Sequence, residues 1–87
     1  VVLDNGGWQA VKSSVLRVYP EGAAAETDQF QARLEGPHRR FEQVAASFGA
    51  HGAAVSDPAE LDGAIKRCLA AVDGGQAAVL TVRVTPL

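Results

Sequence analysis

The sequence predicts an α/β domain with a parallel sheet and helices on both of its faces, as an incomplete portion of a larger domain. Three observations carry this expectation. Segments of strand character alternate with segments of helical period in the order β-α-loop-α-β-α-β, which implies parallel pairing through right-handed crossovers. The strand segments are nearly continuous apolar runs, as strands covered on both faces are. Three strands make a narrow sheet with an open edge, which a larger protein would cover.

The first strand is the end of a buried run, residues 1–3, followed by Asp4, Asn5, Gly6, Gly7 and Trp8. Asp4 and Asn5 offer hard oxygens, and Gly6-Gly7 lets the backbone turn tightly and approach a bound group. A loop can meet a cation or a phosphate this way, and the same residues also read as a plain strand-to-helix turn. Trp8, Val11, Val15, Val18 and Tyr19 recur at helical spacing, so a helix is predicted over residues 8–19, stopped at Pro20. Residues 21–36 show no clear period and predict a long loop, with Phe30 and Leu34 as the side chains that pin it.

Pro37 is expected at the first position of the next helix, in which Phe41, Val44, Ala45 and Phe48 form one apolar stripe and Gly49 suits the C′ position. His51-Gly52 predicts a turn into a short strand over residues 53–55. "SDPAE" is the strongest helix start in the chain, with Asp57 as N-cap, Pro58 at the first helical position and Glu60 at the third. Leu61, Ile65, Cys68, Leu69 and Val72 are the expected buried face of that helix, and Gly74-Gly75 its end. Residues 77–84 close the sheet as a strand.

Composition narrows the function classes. The chain has 87 residues, a net charge of -2 and a hydrophobic fraction of 47%, enough for one small domain that buries roughly 60% of its unfolded surface. It shows no basic excess and no aromatic-basic interleaving, which argues against nucleic acid as a partner. No apolar run approaches the roughly 20 residues that span a bilayer, so no membrane partner is expected, and a cytoplasmic setting fits. Cys68 is the sole cysteine; it excludes an internal disulfide or a CxxC site and reads as an inert core thiol. His38 and His51 fall in turn contexts without a ligand partner at metal spacing, Ser13-Ser14 lacks a hydrolase frame, and Arg39-Arg40 reads as a solvated face. Trp8 reads first as a core anchor and also as a candidate ligand platform. The chain holds no methionine and starts in mid-strand, which predicts a piece of a longer chain.

"VVLDNGGWQAVK", then "RRFEQVAASFGAHG", then "VSDPAELDGAIKRCLAAVDGGQAAVLTVRV" together resemble the C-terminal end of thiamine-diphosphate-dependent enzymes of the acetolactate synthase and pyruvate decarboxylase superfamily. The resemblance covers essentially the whole of residues 1–87, as the C-terminal segment of the diphosphate-binding domain. In that family a cofactor motif opens with Gly-Asp-Gly and closes in Asn-Asn after an apolar strand. The second Asn binds Mg²⁺ through its side chain, and the residue two further on binds it through a backbone carbonyl. Carried over, the resemblance makes Asn5 and Gly7 the metal ligands. It makes Asn5, Gly6, Gly7, Trp8, Gln9 and Ala10 the cofactor-binding stretch beside the diphosphate, with Val11 toward the substrate. The implied cofactors are thiamine diphosphate and Mg²⁺, and the implied substrate is a 2-oxo acid or a related carbonyl compound. The implied partners are the remaining segments of the same enzyme in a homodimer or tetramer.

Three departures qualify the likeness. Asp4 stands where the family has the first Asn of the pair. The Gly-Asp-Gly half and the pyrimidine-side glutamate are absent. Where some decarboxylases carry a catalytic acid just after the loop, this chain has Gln9, Ala10 and Val11, so no catalytic residue is assigned to it. The competing reading is a non-catalytic, stand-alone α/β binding or interaction module in which Gly6-Gly7 only turns the chain.

Overall fold

The computed structural model describes residues 1–34 and 36–85. Its elements are β1 (Val2–Asp4), α1 (Gln9–Val18), α2 (Ala23–Thr27), α3 (Phe41–Ser47), β2 (His51–Val55), α4 (Leu61–Asp73) and β3 (Ala78–Arg83), with a short 3₁₀ turn, Pro58–Glu60, opening α4. They divide into two compact units, one of residues 1–4 and 39–84, the other built on residues 5–38.

The first unit is the sheet with α3 and α4. Strand order is β1-β3-β2 and every pairing is parallel, as the alternation of strands and helices predicts. β3 lies between its neighbours, pairing Leu80 with Ala53 and Val82 with both Val55 and Leu3. That central place explains its apolar run, since Leu80 and Thr81 are both buried. Side chains alternate across a sheet, so Ala53 and Val55 share one face and Gly52 and Ala54 the other. On the first face Val55, Ala64 and Leu80 form the core, with Ala53, Leu61, Cys68 and Val82 packed around it. Ala64 is fully buried, and its small side chain lets α4 lie close to the strands.

The opposite face belongs to α3. A Cβ on Gly52 would collide with the carbonyl oxygen of Glu42, so the absence of a side chain there sets how closely α3 approaches β2. The two helices thus cover the two faces of the sheet. α4 starts as its sequence requires: the Asp57 carboxylate accepts from the Ala59 N–H at 2.9 Å, with Pro58 at the head of the turn. At the end of α3, Gly49 has φ +82°, the left-handed conformation expected at C′.

Several expectations are corrected. Residues 21–36 are not loop throughout, because Ala23–Thr27 forms α2; three alanines in succession favour a helix without any apolar period. Pro37 does not begin a helix, since α3 starts at Phe41 with Arg40 as its N-cap. His51 and Gly52 belong to β2, not to a turn before it. On α3 the face toward the sheet carries Glu42 and Ala45, while Phe41, Val44 and Phe48 are exposed. On α4 the inward residues are Leu61, Ala64 and Cys68, whereas Ile65, Leu69 and Val72 lie exposed beside that face. Both helices are turned relative to their most apolar stripe, with α3 closest to the sheet where the Glu42 backbone meets Gly52 and α4 where Ala64 is buried.

Two glycine substitutions test this packing. Gly52→Ala should destabilise the fold by about 1–3 kcal/mol, the usual cost of overpacking a close contact. Gly63→Ala, inside α4 with only the flexible end of Arg67 near the new methyl at 3.3 Å, should stabilise by about 0.5–1 kcal/mol. Denaturant unfolding of the two variants reads both signs. Unchanged stability in Gly52→Ala would contradict the arrangement of α3 on β2.

Candidate functional site

The site expected from the sequence starts where β1 ends. Asp4 is the last residue of β1, and its carbonyl accepts from the Val84 N–H at 3.0 Å, which holds the strand end in the sheet unit. Asn5, Gly6, Gly7, Trp8, Gln9 and Ala10 all fall in the second unit. Loops at the carboxyl ends of parallel strands are where ligands of open α/β sheets bind.

Within the second unit the loop folds on itself and on residues 32–34. The Asn5 side-chain Oδ1 accepts from the Gly7 N–H at 3.2 Å, an Asx turn that fixes the amide next to the backbone. Gly6 has φ +74°, the left-handed geometry that the turn requires. Gly7 pairs with Arg33 in an isolated antiparallel bridge. On one side of that bridge the Leu34 N–H donates to the Gly6 carbonyl at 2.8 Å, and on the other the Trp8 N–H donates to the Ala32 carbonyl at 2.9 Å. A Cβ on Gly7 would collide with that same Ala32 oxygen. Only glycine permits the bridge.

α1 begins immediately after the loop, with Trp8 as N-cap. It has no side-chain cap and no acidic residue in its first turn. The Trp8 carbonyl accepts from Val11 and Lys12, while the first amides of any helix, here those of Gln9 and Ala10, lack intrahelical acceptors. The positive end of the helix dipole is therefore free of a competing carboxylate of its own first turn. Trp8 is 60% exposed, which corrects its reading as a core anchor; what anchors this stretch is Ala32, which is buried. Of the two side chains expected to pin residues 21–36, Phe30 lies under the Lys12 ammonium at 4.8 Å, whereas Leu34 is exposed and acts through its backbone N–H.

A charged cluster, missed in the sequence, joins α1 to the segment after α2. Asp28 is the C-cap of α2 at φ 53°, a left-handed position that aspartate tolerates. One carboxylate oxygen pairs with Lys12 Nζ at 3.0 Å, and the other with the Arg33 guanidinium at 2.9 Å. Arg33 also donates to the Asp28 backbone carbonyl at 3.1 Å. Lys12 and Asp28 are 16 residues apart, and no local spacing rule pairs them.

The remaining candidates are placed as follows. Ser14 donates to the Ala10 carbonyl within α1 at 2.9 Å. Arg40 pairs loosely with Glu42, at 3.7 Å. Cys68 is partly buried against the α4 core. His51 is set in β2, with its Nε2 buried and without a hydrogen-bond partner among the described residues. Among the described residues no three His, Cys, Asp or Glu side chains converge as a metal cluster, and no helix is long and apolar enough to cross a membrane.

The first unit is an α/β layer of narrow parallel sheet and helices, and the second is headed by a glycine-bearing loop that opens directly into a helix. Residues 1–82 match the family model described as thiamine pyrophosphate enzyme, C-terminal TPP binding domain. With that match running from β1 into β3, the chain belongs to this family, and thiamine diphosphate is the cofactor of the enzymes it forms part of. No solved structure matches the chain.

The charged cluster predicts a pH dependence. Arg33, and after it Lys12, hold the Asp28 carboxyl below the usual aspartate range. A carboxylate with a lowered folded pKa stabilises above its unfolded value of about 3.9, and that contribution is lost as pH falls through the folded value. Asp28→Asn should therefore lower the melting temperature at about pH 6, by a gap that narrows towards about pH 2. A gap of equal size at both pH values would show that the charge of Asp28 contributes nothing.

Proposed function

We propose that residues 1–87 are the C-terminal segment of the diphosphate-binding domain of a thiamine-diphosphate- and Mg²⁺-dependent enzyme. The enzyme acts on 2-oxo acids or related carbonyl compounds, as a C–C bond lyase or transferase of the acetolactate synthase and pyruvate decarboxylase type. The observation that carries this reading is the bridged Asn5-Gly6-Gly7 loop that opens α1. Its donor set suits the pair of ligands. Asn5 Oδ1 and the Gly7 carbonyl are neutral hard oxygens, and Mg²⁺ is commonly held by a few protein oxygens together with phosphates and waters. The first-turn amides of Gln9 and Ala10 suit the diphosphate, since a helix N-terminus favours an anion.

Thiamine diphosphate supplies the electron sink for breaking or making a C–C bond beside a carbonyl. This chain's part is to bind and orient. Asn5 and Gly7 would hold the metal, Gly6 would supply the turn between them, and Trp8, Gln9 and Ala10 would bind the diphosphate. No residue of the chain is assigned a proton-transfer step. The remaining segments of the enzyme, assembled as a homodimer or tetramer, are its partners. Exposed Val44 and Phe48 on α3 and Leu69 on α4 support such an assembly, because apolar side chains of that size commonly mark contact surfaces.

Two measurements test the reading. In calorimetric titration of the assembled enzyme with thiamine diphosphate at fixed Mg²⁺, Asn5→Ala should weaken binding by more than the roughly 10–100-fold typical of residues that only orient a metal ligand. Asp4→Asn, next to the ligand but not itself one, should stay at or below that range. Parent-like binding by a folded Asn5→Ala would return the loop to a plain turn and favour the stand-alone module. Separately, the isolated 87-residue chain should show no turnover of pyruvate, because the site needs segments that it does not contain. Measurable turnover would overturn that claim.

A further inference from the structure

The second unit holds a closed circuit of contacts around the loop. The loop leads covalently into α1, and α1 presents Lys12 one turn after Trp8. Lys12 pairs with one oxygen of Asp28, and Arg33 pairs with the other. Arg33 is the residue that faces Gly7 across the backbone bridge, and its neighbours Ala32 and Leu34 make the two hydrogen bonds that fix Trp8 and Gly6. The circuit runs from loop to helix to Asp28 to Arg33 and back to the loop. We propose that Asp28 is a positioning residue for the cofactor loop: by bridging Lys12 and Arg33 it holds residues 32–34 against Gly6–Trp8 and so sets the carbonyl of Gly7 and the amides that follow it. This rests on the reading of residues 5–10 as the cofactor-binding stretch.

Three further features favour a role in positioning over an incidental ion pair. Asp28 stands at φ 53°, so its carboxylate is aimed by the backbone and not by a freely rotating helix position. Its backbone carbonyl is held by the same guanidinium that holds its side chain, a two-point contact that fixes the direction of Arg33. Lys12 is restrained in turn by the Phe30 ring and is mostly covered, with 17% of its side chain exposed. A carboxylate at the C-terminal end of a helix opposes the helix dipole, and the two cations offset that cost. The backbone bridge is a single residue pair, and Asp28 adds to it a side-chain tie between Lys12 of α1 and Arg33.

The test uses the assembled enzyme and two readouts, calorimetric titration with thiamine diphosphate at fixed Mg²⁺ and amide hydrogen exchange of the unliganded protein. Asp28→Asn should weaken cofactor binding about 3- to 10-fold, the scale of two partly exposed ion pairs, and lower the protection of the Trp8 and Leu34 amides. Asp28→Glu, which keeps the charge, should recover most of both. Lys12→Gln should weaken binding in the parent but add little on top of Asp28→Asn, because coupled residues are not additive. Asn5→Ala serves as the control, losing binding while leaving the Trp8 and Leu34 amides protected. If Asp28→Asn binds like the parent, or if Asp28→Glu recovers nothing, the positioning role is overturned while a weakened Asn5→Ala leaves the cofactor reading standing. If Asn5→Ala also binds like the parent, the cofactor reading fails and the positioning role fails with it.

Discussion

The approach of the Ala32 carbonyl to Gly7 is the contact from which the rest of the second unit is built. The oxygen occupies the space that any side chain at position 7 would need, and it accepts the Trp8 N–H that would otherwise be an unpaired donor at the head of α1. One backbone group thus sets the start of the helix, the geometry of the loop and the place of residues 32–34. The first unit repeats the logic with different parts. There the Glu42 carbonyl fills the space beside Gly52, and the distance between α3 and the sheet follows. Two missing side chains fix one distance in each unit, and neither distance depends on a large apolar residue.

This explains which parts of the fold were legible in the sequence. Parallel strands, crossover helices and the Asp57-Pro58 start of α4 follow from residue type and local spacing, and each is observed. The apolar stripes do not mark the buried faces, because periodicity ranks side chains by hydrophobicity, whereas the close approach at Gly52 is made by the backbone of Glu42. Ala64 is buried while Leu69 is 58% exposed, and Glu42 is turned inward while Phe48 is 88% exposed. α2 escaped for a related reason: its Ala-Ala-Ala-Glu-Thr sequence has helix propensity but no period to detect.

The candidate site divides along the same line. Asn5, Gly6 and Gly7 could be singled out from eight residues of sequence, because a strand end, an amide and two glycines form a local pattern. Asp28, Lys12, Arg33 and Ala32 could not. Their contacts span 16 residues between Lys12 and Asp28, and between Gly7 and Arg33 they run through backbone atoms that carry no residue-type signal. Arg33 reads as one more surface cation until its bridge to Gly7 is seen. Long-range backbone pairing is the part of a small domain that its own sequence states least directly.

The electrostatics of the second unit then acquire a simple form. The loop itself carries no formal charge from Asn5 to Ala10, so it offers oxygens and N–H groups whose dipoles are oriented by the bridge and by α1. The circuit around it is built on the two cations Lys12 and Arg33, both paired with the carboxylate of Asp28. Bridged by one carboxylate, the two cations tie α1 to the segment after α2 by side chains as well as by backbone. On the proposed reading, the neutral oxygens of Asn5 and Gly7 would take a divalent cation without adding charge to the loop.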